Sequence, residues 1–509
     1  MQTRSSVHRV LAVVTLLALL LSSVPANSAS ALRAAERKGS PLTPSHAYVT
    51  ANMTAVDDVV AAESGSVSVE YTFQRPVMER TGAYDRVTIP DLHNHGAPDA
   101  PTLPFETVEI GTGLTNTLTG PQFQNVPLSV VEAVTVTHWV DPEGRQPITY
   151  EEWKGEIPAR GPFIARKILE RRGDLVPAQT LPKVCVIVNS TLYGSIQASV
   201  DQYASDLEAE GYTVIVYSTS GGTPSDLRIF LQGELPDNLV GCLLVGDLPV
   251  PWYEMDNDFY GYAEFPADLY YMDLDGQWTD ADADGKFDDH TDGAGDVAPE
   301  IWVGRLTASP LSGDEVTRMQ NYFSKNHQYR TGDLNLAHRA LAYIYDDWSS
   351  FGVSDLDLMY GDNVTVMNEK GMTSAEDYRE RLEETHRFVH VMAHSSPWGH
   401  SFSSGWVSST EIEDIDPRTF FYNLFACSNA RYVEHDYMGG YYIFAPTHGL
   451  AAVGSTKTGS MLSFEQFYGP LGEGKSLGEA YYEWFDYLDF AQITGTLLLH
   501  FARISRHFR

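Results

Sequence analysis

Cysteine is scarce in this sequence: 509 residues contain three, Cys185, Cys242 and Cys427. An odd number cannot pair completely within one chain, so this is no disulfide scaffold. Positive charge is short as well, with 34 lysines and arginines against 68 aspartates and glutamates, a net charge of −34. Binding a phosphate backbone needs a basic face, which excludes a nucleic-acid partner. Long apolar runs are also missing. Past the N-terminal segment nothing is long and apolar enough to cross a bilayer, so no membrane span is expected in the mature chain. Core-forming residues are plentiful. A composition 43% hydrophobic and 12% aromatic fits a globular protein, and the length suggests two or more domains.

The first 31 residues read as an address. Arg4, His8 and Arg9 make a basic start, Val10 to Leu21 an apolar core, and Ala29-Ser30-Ala31 a small-residue cleavage site. This pattern predicts a secretory signal peptide over 1–31 and a secreted or cell-surface protein; an uncleaved anchor is the alternative. Residues 32–180 are rich in proline and glycine, with short β-type runs at Val67 to Phe73, Val108 to Ile110 and Val130 to Val136. They predict a β-sandwich-like N-terminal domain after a less ordered leader. Its last part, Ala165 to Asp174, carries Arg166, Lys167, Arg171 and Arg172. It reads either as an exposed, cleavable linker or as a short helix with a charged face.

From Lys183 the pattern alternates strand and helix. Val184 to Val188, Tyr212 to Tyr217 and Leu239 to Val245 are apolar runs of strand length. Between the first two, Ile196, Val200, Tyr203 and Leu207 recur at helical spacing before Gly211. The expected fold class is α/β, a mostly parallel sheet flanked by helices, in a first subdomain over 181–330 and a second over 331–509. Cys185 and Cys242 fall inside predicted strands and read as inert core thiols.

An acidic insertion interrupts the first subdomain. Asp280, Asp282 and Asp284 alternate before Gly285, with Lys286 and Asp288 following. Oxygen ligands at alternate positions and a glycine turn match the first half of a calcium loop, with Lys286 offering a carbonyl. The twelfth position is Thr291 rather than glutamate, so a solvated acidic loop is the alternative. Calcium, in a structural role, is the one cofactor expected; no organic cofactor is.

Two apolar runs in the second subdomain end in reactive side chains. Phe388 to Ala393 leads to His394, and Phe420 to Ala426 leads to Cys427. As neighbouring parallel strands they would place an imidazole and a thiol on one rim, beyond the carboxyl ends where α/β sheets bind ligands. A thiolate nucleophile with an imidazole partner is the apparatus of acyl transfer. His390, inside the run, and His400, after Pro397-Trp398-Gly399 and nearer the pocket wall, compete for the role of base.

With His394-Ser395 and Ala426-Cys427 in view, the chain resembles the gingipain-like cysteine peptidases of the caspase–hemoglobinase clan. Leu243 to Asp247, Pro299 to Leu306 and Gly449 to Thr456 are similar to further segments of that family, in its order. The resemblance covers about residues 183 to 490. It implies a caspase-like sheet, a β-rich pro-domain upstream, and protein or peptide substrates. It also implies a zymogen that hydrolyses peptide bonds through a Cys427–His394 dyad. The backbone N–H groups of Ser395 and Cys427 would form the oxyanion hole. Asp346 or Asp347 matches the acid that orients the histidine, although either also reads as a helix cap or loop carboxylate. Asp355, after Gly352 and Val353, matches a pocket acid for a substrate Arg or Lys, and Trp398 would wall that pocket. Two departures stand out: Ser395 replaces the usual glycine, and His500 to Arg509 lacks the family's usual Gly-Asp-Pro close. They motivate a rival reading as an inactive, calcium-dependent surface-binding or secretion-associated protein. A transpeptidase using the same acyl-enzyme is the third.

Overall fold

The computed structural model describes residues 141–173, 181–258, 261–351, 354–461 and 463–488. It also gives the backbone of five short strands outside those ranges. The segment 1–31, Gly352, Val353 and the last ten residues lie outside the described residues, as does most of 32–140.

Contacts divide the chain into two units. The smaller holds Met1–Pro142, Met255–Ala263 and Asp347–Val353. Its described strands form two antiparallel pairs, β1 (Phe73–Gln74) with β2 (Arg86–Val87) and β3 (Phe105–Ile110) with β4 (Val134–Trp139).

The larger unit carries the α/β architecture. After helix α1 (Tyr150–Glu156) comes strand β5 (Ile164–Arg172), then β6 (Lys183–Asn189), α2 (Ser190–Ala209), β7 (Thr213–Ser220), α3 (Pro224–Glu234) and β8 (Leu239–Val245). A hairpin, β9 (Trp252–Asp258) and β10 (Gly261–Pro266), whose residues Met255–Ala263 fall in the smaller unit, is followed by α4 (Leu269–Met272) and a small pair, β11 (Gln277–Thr279) and β12 (Asp289–Thr291). Strand β13 (Trp302–Leu306) completes the first sheet, ordered β13-β8-β6-β7-β5. Its parallel strands are buried on both faces, which is why they read as unbroken apolar runs. Val184 to Val188 are 0% exposed. Asn189 caps α2, Thr223 caps α3 with a capping box, and Gly211 takes φ 97° just past the end of α2, as helix ends require.

From Ala165 to Arg172 the basic segment is neither linker nor helix. It is part of β5, an edge strand antiparallel to β7, with an irregularity between Lys167 and Leu169. The extra residue breaks the two-residue alternation that would have marked a strand.

Helix α5 (Glu315–Thr331) leads to the second sheet: β14 (Ala340–Ile344), α6 (Asp357–Tyr360), β15 (Val364–Met367), α7 (Ala375–Glu383) and β16 (Phe388–Met392). Three short strands, β17 (His394–Ser396), β18 (Gly399–Ser401) and β19 (Trp406–Ser408), form an antiparallel sheet of their own. Helix α8 (Ser409–Ile415), β20 (Phe421–Phe425), α9 (Met438–Ile443), β21 (Ala451–Ser455), α10 (Phe464–Gly472), α11 (Leu477–Leu488) and β22 (Thr496–Leu499) complete the chain's elements. The order is β15-β14-β16-β20-β21-β22, parallel except for β22. This is the mostly parallel, helix-flanked, caspase-like arrangement expected from the sequence.

Candidate active site

Register places the two reactive residues. β16 and β20 pair in parallel, and their last partners are Met392 and Phe425. One residue further, the Ala393 N–H donates to the Phe425 carbonyl at 3.1 Å. His394 and Cys427 each lie two residues beyond the last pair, on adjacent strands at the carboxyl rim.

Burial separates these residues from their competitors. Cys185 and Cys242 are 0% exposed. Burial pushes the Cys185 thiol up to about 12 and the Cys242 thiol well above its ordinary range, so neither supplies a thiolate. Cys427 is half-buried. His390 and His400 are also 0% exposed, and burial lowers both to about 3. His390 shares a 2.7 Å hydrogen bond with the Tyr468 hydroxyl. His400 packs among Tyr378, Phe402 and Tyr442, with neither ring nitrogen hydrogen-bonded. It belongs to the core beneath β18 rather than to a pocket wall. His394 is the half-buried histidine of the three.

The turn after β20 fixes the thiol. Ser428 adopts φ +55°, a left-handed conformation that sharpens the bend. The Ser428 N–H donates to the Lys457 carbonyl at 2.9 Å, and the Ala430 N–H to the Ser455 carbonyl at 2.9 Å. Asn429, 0% exposed, turns its side-chain amide onto the carbonyls of Leu424, at 3.0 Å, and Ala426. The Gly459 N–H donates to the Cys427 Sγ at 3.4 Å, an interaction that favours the thiolate over the thiol. On the histidine side, the Tyr345 ring meets His394 edge-on at 5.7 Å. Asn429, Gly459 and Tyr345 escape the sequence reading. The signal for the first is modest: a Ser-Asn pair, good turn formers, directly after the cysteine.

Ser395 turns inward. It is 7% exposed, and its hydroxyl donates to the carbonyls of Ser396 (2.7 Å) and Gly399 (2.9 Å). The serine that replaces glycine is therefore accommodated within the β17–β18 hairpin. Asp346, just past β14, accepts from the Gly371 N–H at 2.8 Å and the Thr373 hydroxyl at 2.9 Å, tying down the segment before α7. Asp347 falls in the smaller unit. Asp355 sits at φ +54° before α6, and its carbonyl accepts from the Leu358 N–H. Its charge reaches the Tyr468 hydroxyl, whose pKa is raised first by burial and then by Asp355. Trp398, 6% exposed, donates from its indole N–H to the His435 carbonyl at 2.9 Å, and the Arg145 guanidinium lies 4.6 Å over its ring.

The acidic insertion is the connection between β11 and β12. Asp280 accepts from the Asp284 and Gly285 N–H groups, and Asp288 from the Ala281 N–H. Asp282 and Asp284 instead converge with Glu254, their oxygens within 4.8 Å of one another. The Lys286 ammonium lies 2.8 Å from Glu254 and 2.9 Å from both Glu264 and Asp284. A lysine thus supplies part of the positive charge that a calcium ion would bring.

Comparison with known proteins gives the chain its relatives. No curated protein matches. Among solved structures, one described as a protease shares 15% identity at a TM-score of 0.40, covering 58% of this chain and 63% of its own. This chain thus spans less than two thirds of that structure. The Arg-specific cysteine proteinase gingipain R aligns with 15% identity and a TM-score of 0.43, over 63% of this chain and 78% of its own. The complex of Porphyromonas gingivalis RgpB pro- and mature domains gives 15% and 0.44, over 62% and 78%. The model of peptidase family C25 matches residues 178–500, which span both sheets and both reactive residues. The chain belongs to peptidase family C25, the gingipain family of cysteine peptidases.

Proposed function

We propose that this protein is a secreted cysteine endopeptidase, made as a zymogen, that hydrolyses peptide bonds through Cys427 and His394. The observation that carries this reading is the matched position of the two residues beyond the paired ends of β16 and β20. The rival histidines and thiols are buried. The Cys427 thiolate attacks the scissile carbonyl carbon. The imidazolium of His394 gives its proton to the leaving amine, and a thioester to Cys427 remains. His394 then takes a proton from water, whose oxygen adds to the thioester and releases the acid. Backbone N–H groups of Ser395 and Cys427 would hold the oxyanion.

Asp346 would orient His394, and Asp355 would pair with a substrate Arg or Lys, with Trp398 beside it. The β-rich region upstream of α1 and β5, within 32–180, would serve as pro-domain, and 1–31 as the export signal. Calcium would be held by the loop of Asp280, Asp282, Asp284 and Asp288, with Glu254 converging on Asp282 and Asp284, and would support the insertion; melting with calcium and with a chelator tests this.

The decisive experiment pairs Cys427→Ala with a positional-scanning peptide library, run with and without calcium. Cleavage by the parent, lost in the variant with unchanged melting, is expected. Full cleavage by Cys427→Ala would sink the reading. An Arg or Lys preference that survives Asp355→Asn would remove Asp355 from the pocket.

A further inference from the structure

Both sheets of the larger unit repeat one topology. In chain order, β6, β7, β8 and β13 lie 2-1-3-4, and so do β14, β15, β16 and β20. Ligands of open α/β sheets bind beyond the carboxyl ends of the strands, where the order reverses. In the second sheet that rim carries Cys427 and His394. In the first, it opens onto a cavity of about 920 Å³, a volume suited to a small organic ligand. Asn189 from the end of β6, Gly246 beyond β8 and Thr307 beyond β13 line it, and Cys427 and His394 do not.

The cavity's polar groups are unevenly committed. Three of its four carboxylates are occupied, Glu434 by Arg431 at 2.8 Å, Asp436 by Ser312 and Tyr441, and Asp247 by Ser309, and the fourth, Glu156, is exposed at the end of α1. The donors are less so. Thr307 is 4% exposed, and its hydroxyl has no hydrogen-bond partner. Arg305, 1% exposed, binds Asp268 through Nε and Nη2, and Nη1 takes no part in those bonds. Among the described residues, Arg160 makes one long hydrogen bond, 3.4 Å to the Leu248 carbonyl, and no ion pair. Burial lowers its pKa, Asp247 and Tyr271 oppose that, and the nearby Arg305 charge lowers it further. Helix α2 starts at this rim with no acidic residue in its first turn. Its N-terminal N–H groups therefore add positive potential. Trp153 and Trp398 give the cavity aromatic walls.

We propose that this cavity is a second ligand site, which takes an oxyanion on Arg160, Thr307 and the start of α2, with any apolar body against Trp153 and Trp398. The shared chemistry is a carboxylate or phosphate group, matched by a planar guanidinium fork. Arg160, Thr307 and the start of α2 have no part in the peptidase reading, with which the site shares only the Trp398 wall, so the oxyanion contacts survive its failure.

Full-length protein carrying Cys427→Ala, which avoids turnover, is titrated calorimetrically with acetyl-Leu-Leu acid, its amide and inorganic phosphate. The acid is expected to bind, the amide about tenfold more weakly or less, and Arg160→Gln to lose about tenfold or more. Binding of phosphate alone with the same Arg160 dependence keeps the oxyanion site and assigns it to free phosphate. Equal binding of acid and amide, no binding of acid or phosphate, or a folded Arg160→Gln that binds like its parent would overturn the proposal. Should Arg160→Gln fail to fold, Thr307→Val decides the question, since unchanged affinity in that near-isostere would also overturn it.

Discussion

Asn429 is the residue on which the geometry of Cys427 turns, and Asn429→Asp isolates its contribution. The substitution keeps volume and shape but exchanges the amide for a carboxyl group. In the parent, the amide donates to the carbonyls of Leu424 and Ala426, both at the end of the strand that delivers the cysteine. At neutral pH the variant would bury a carboxylate against those two acceptors. Each lost hydrogen bond is worth about 0.5–1.5 kcal/mol net; the Leu424 carbonyl keeps the Ala426 N–H at 2.8 Å, whereas the Ala426 carbonyl is left facing the carboxylate, at a cost of about 1–3 kcal/mol. The expected loss is therefore about 2–5 kcal/mol, read as a lower urea midpoint at unchanged slope. Activity should fall further than stability explains, because a displacement of ~1 Å at a reacting atom costs about a hundredfold in rate. Asn429→Ala should lie between parent and Asp variant in stability. The reasoning fails if Asn429→Asp unfolds at the parent's urea midpoint, or if its residual folded fraction has full activity.

Other perturbations read different parts of the structure. Burial holds His390 and His400 down to about 3 in the folded protein, against about 6.5 unfolded. A depressed folded value means that the contribution to stability is complete above about pH 6.5 and is lost as pH falls toward 3. Each histidine then gives a slope of up to about 1.4 kcal/mol per pH unit. His400→Phe should flatten that slope by roughly one proton's worth in urea midpoints measured from pH 7 to 4.5; an unchanged slope would contradict it. Lys286→Met leaves Glu254, Glu264 and Asp284 without the ammonium they share; melting should fall, and added calcium should restore part of the loss. Gly459→Ala, at φ 106°, should shift the pH profile of Cys427 alkylation upward as the donor to Sγ is displaced; an unmoved profile would show that this hydrogen bond does not tune the thiol.

The residues visible in the sequence were those whose environment repeats along the chain. Val184 to Val188, Leu239 to Val245 and Phe388 to Met392 are buried on both faces, so burial is written into each run. Cys427 and His394 stand out in the sequence because each ends such a run. β5 was not, since its bulge and exposed charges erase alternation. Asn429, Tyr345 and Gly459 act through contacts made only once neighbouring strands are in register. Lys286 lay in plain view, but its role depends on Glu254 and Glu264 from another hairpin. His400 reads as nearer the pocket wall because it follows Pro397-Trp398-Gly399, but its ring points into the aromatic core beneath β18.

Strand β5 precedes the region matched by the family, yet it completes the first sheet by pairing with β7 along its length. A peptide bond cut between Arg172 and Lys183 would therefore not shorten the folded particle. It would yield two polypeptides that travel together through a sizing column and separate in detergent. A maturation assay read only by denaturing gel would then report a loss of mass that the native enzyme never undergoes.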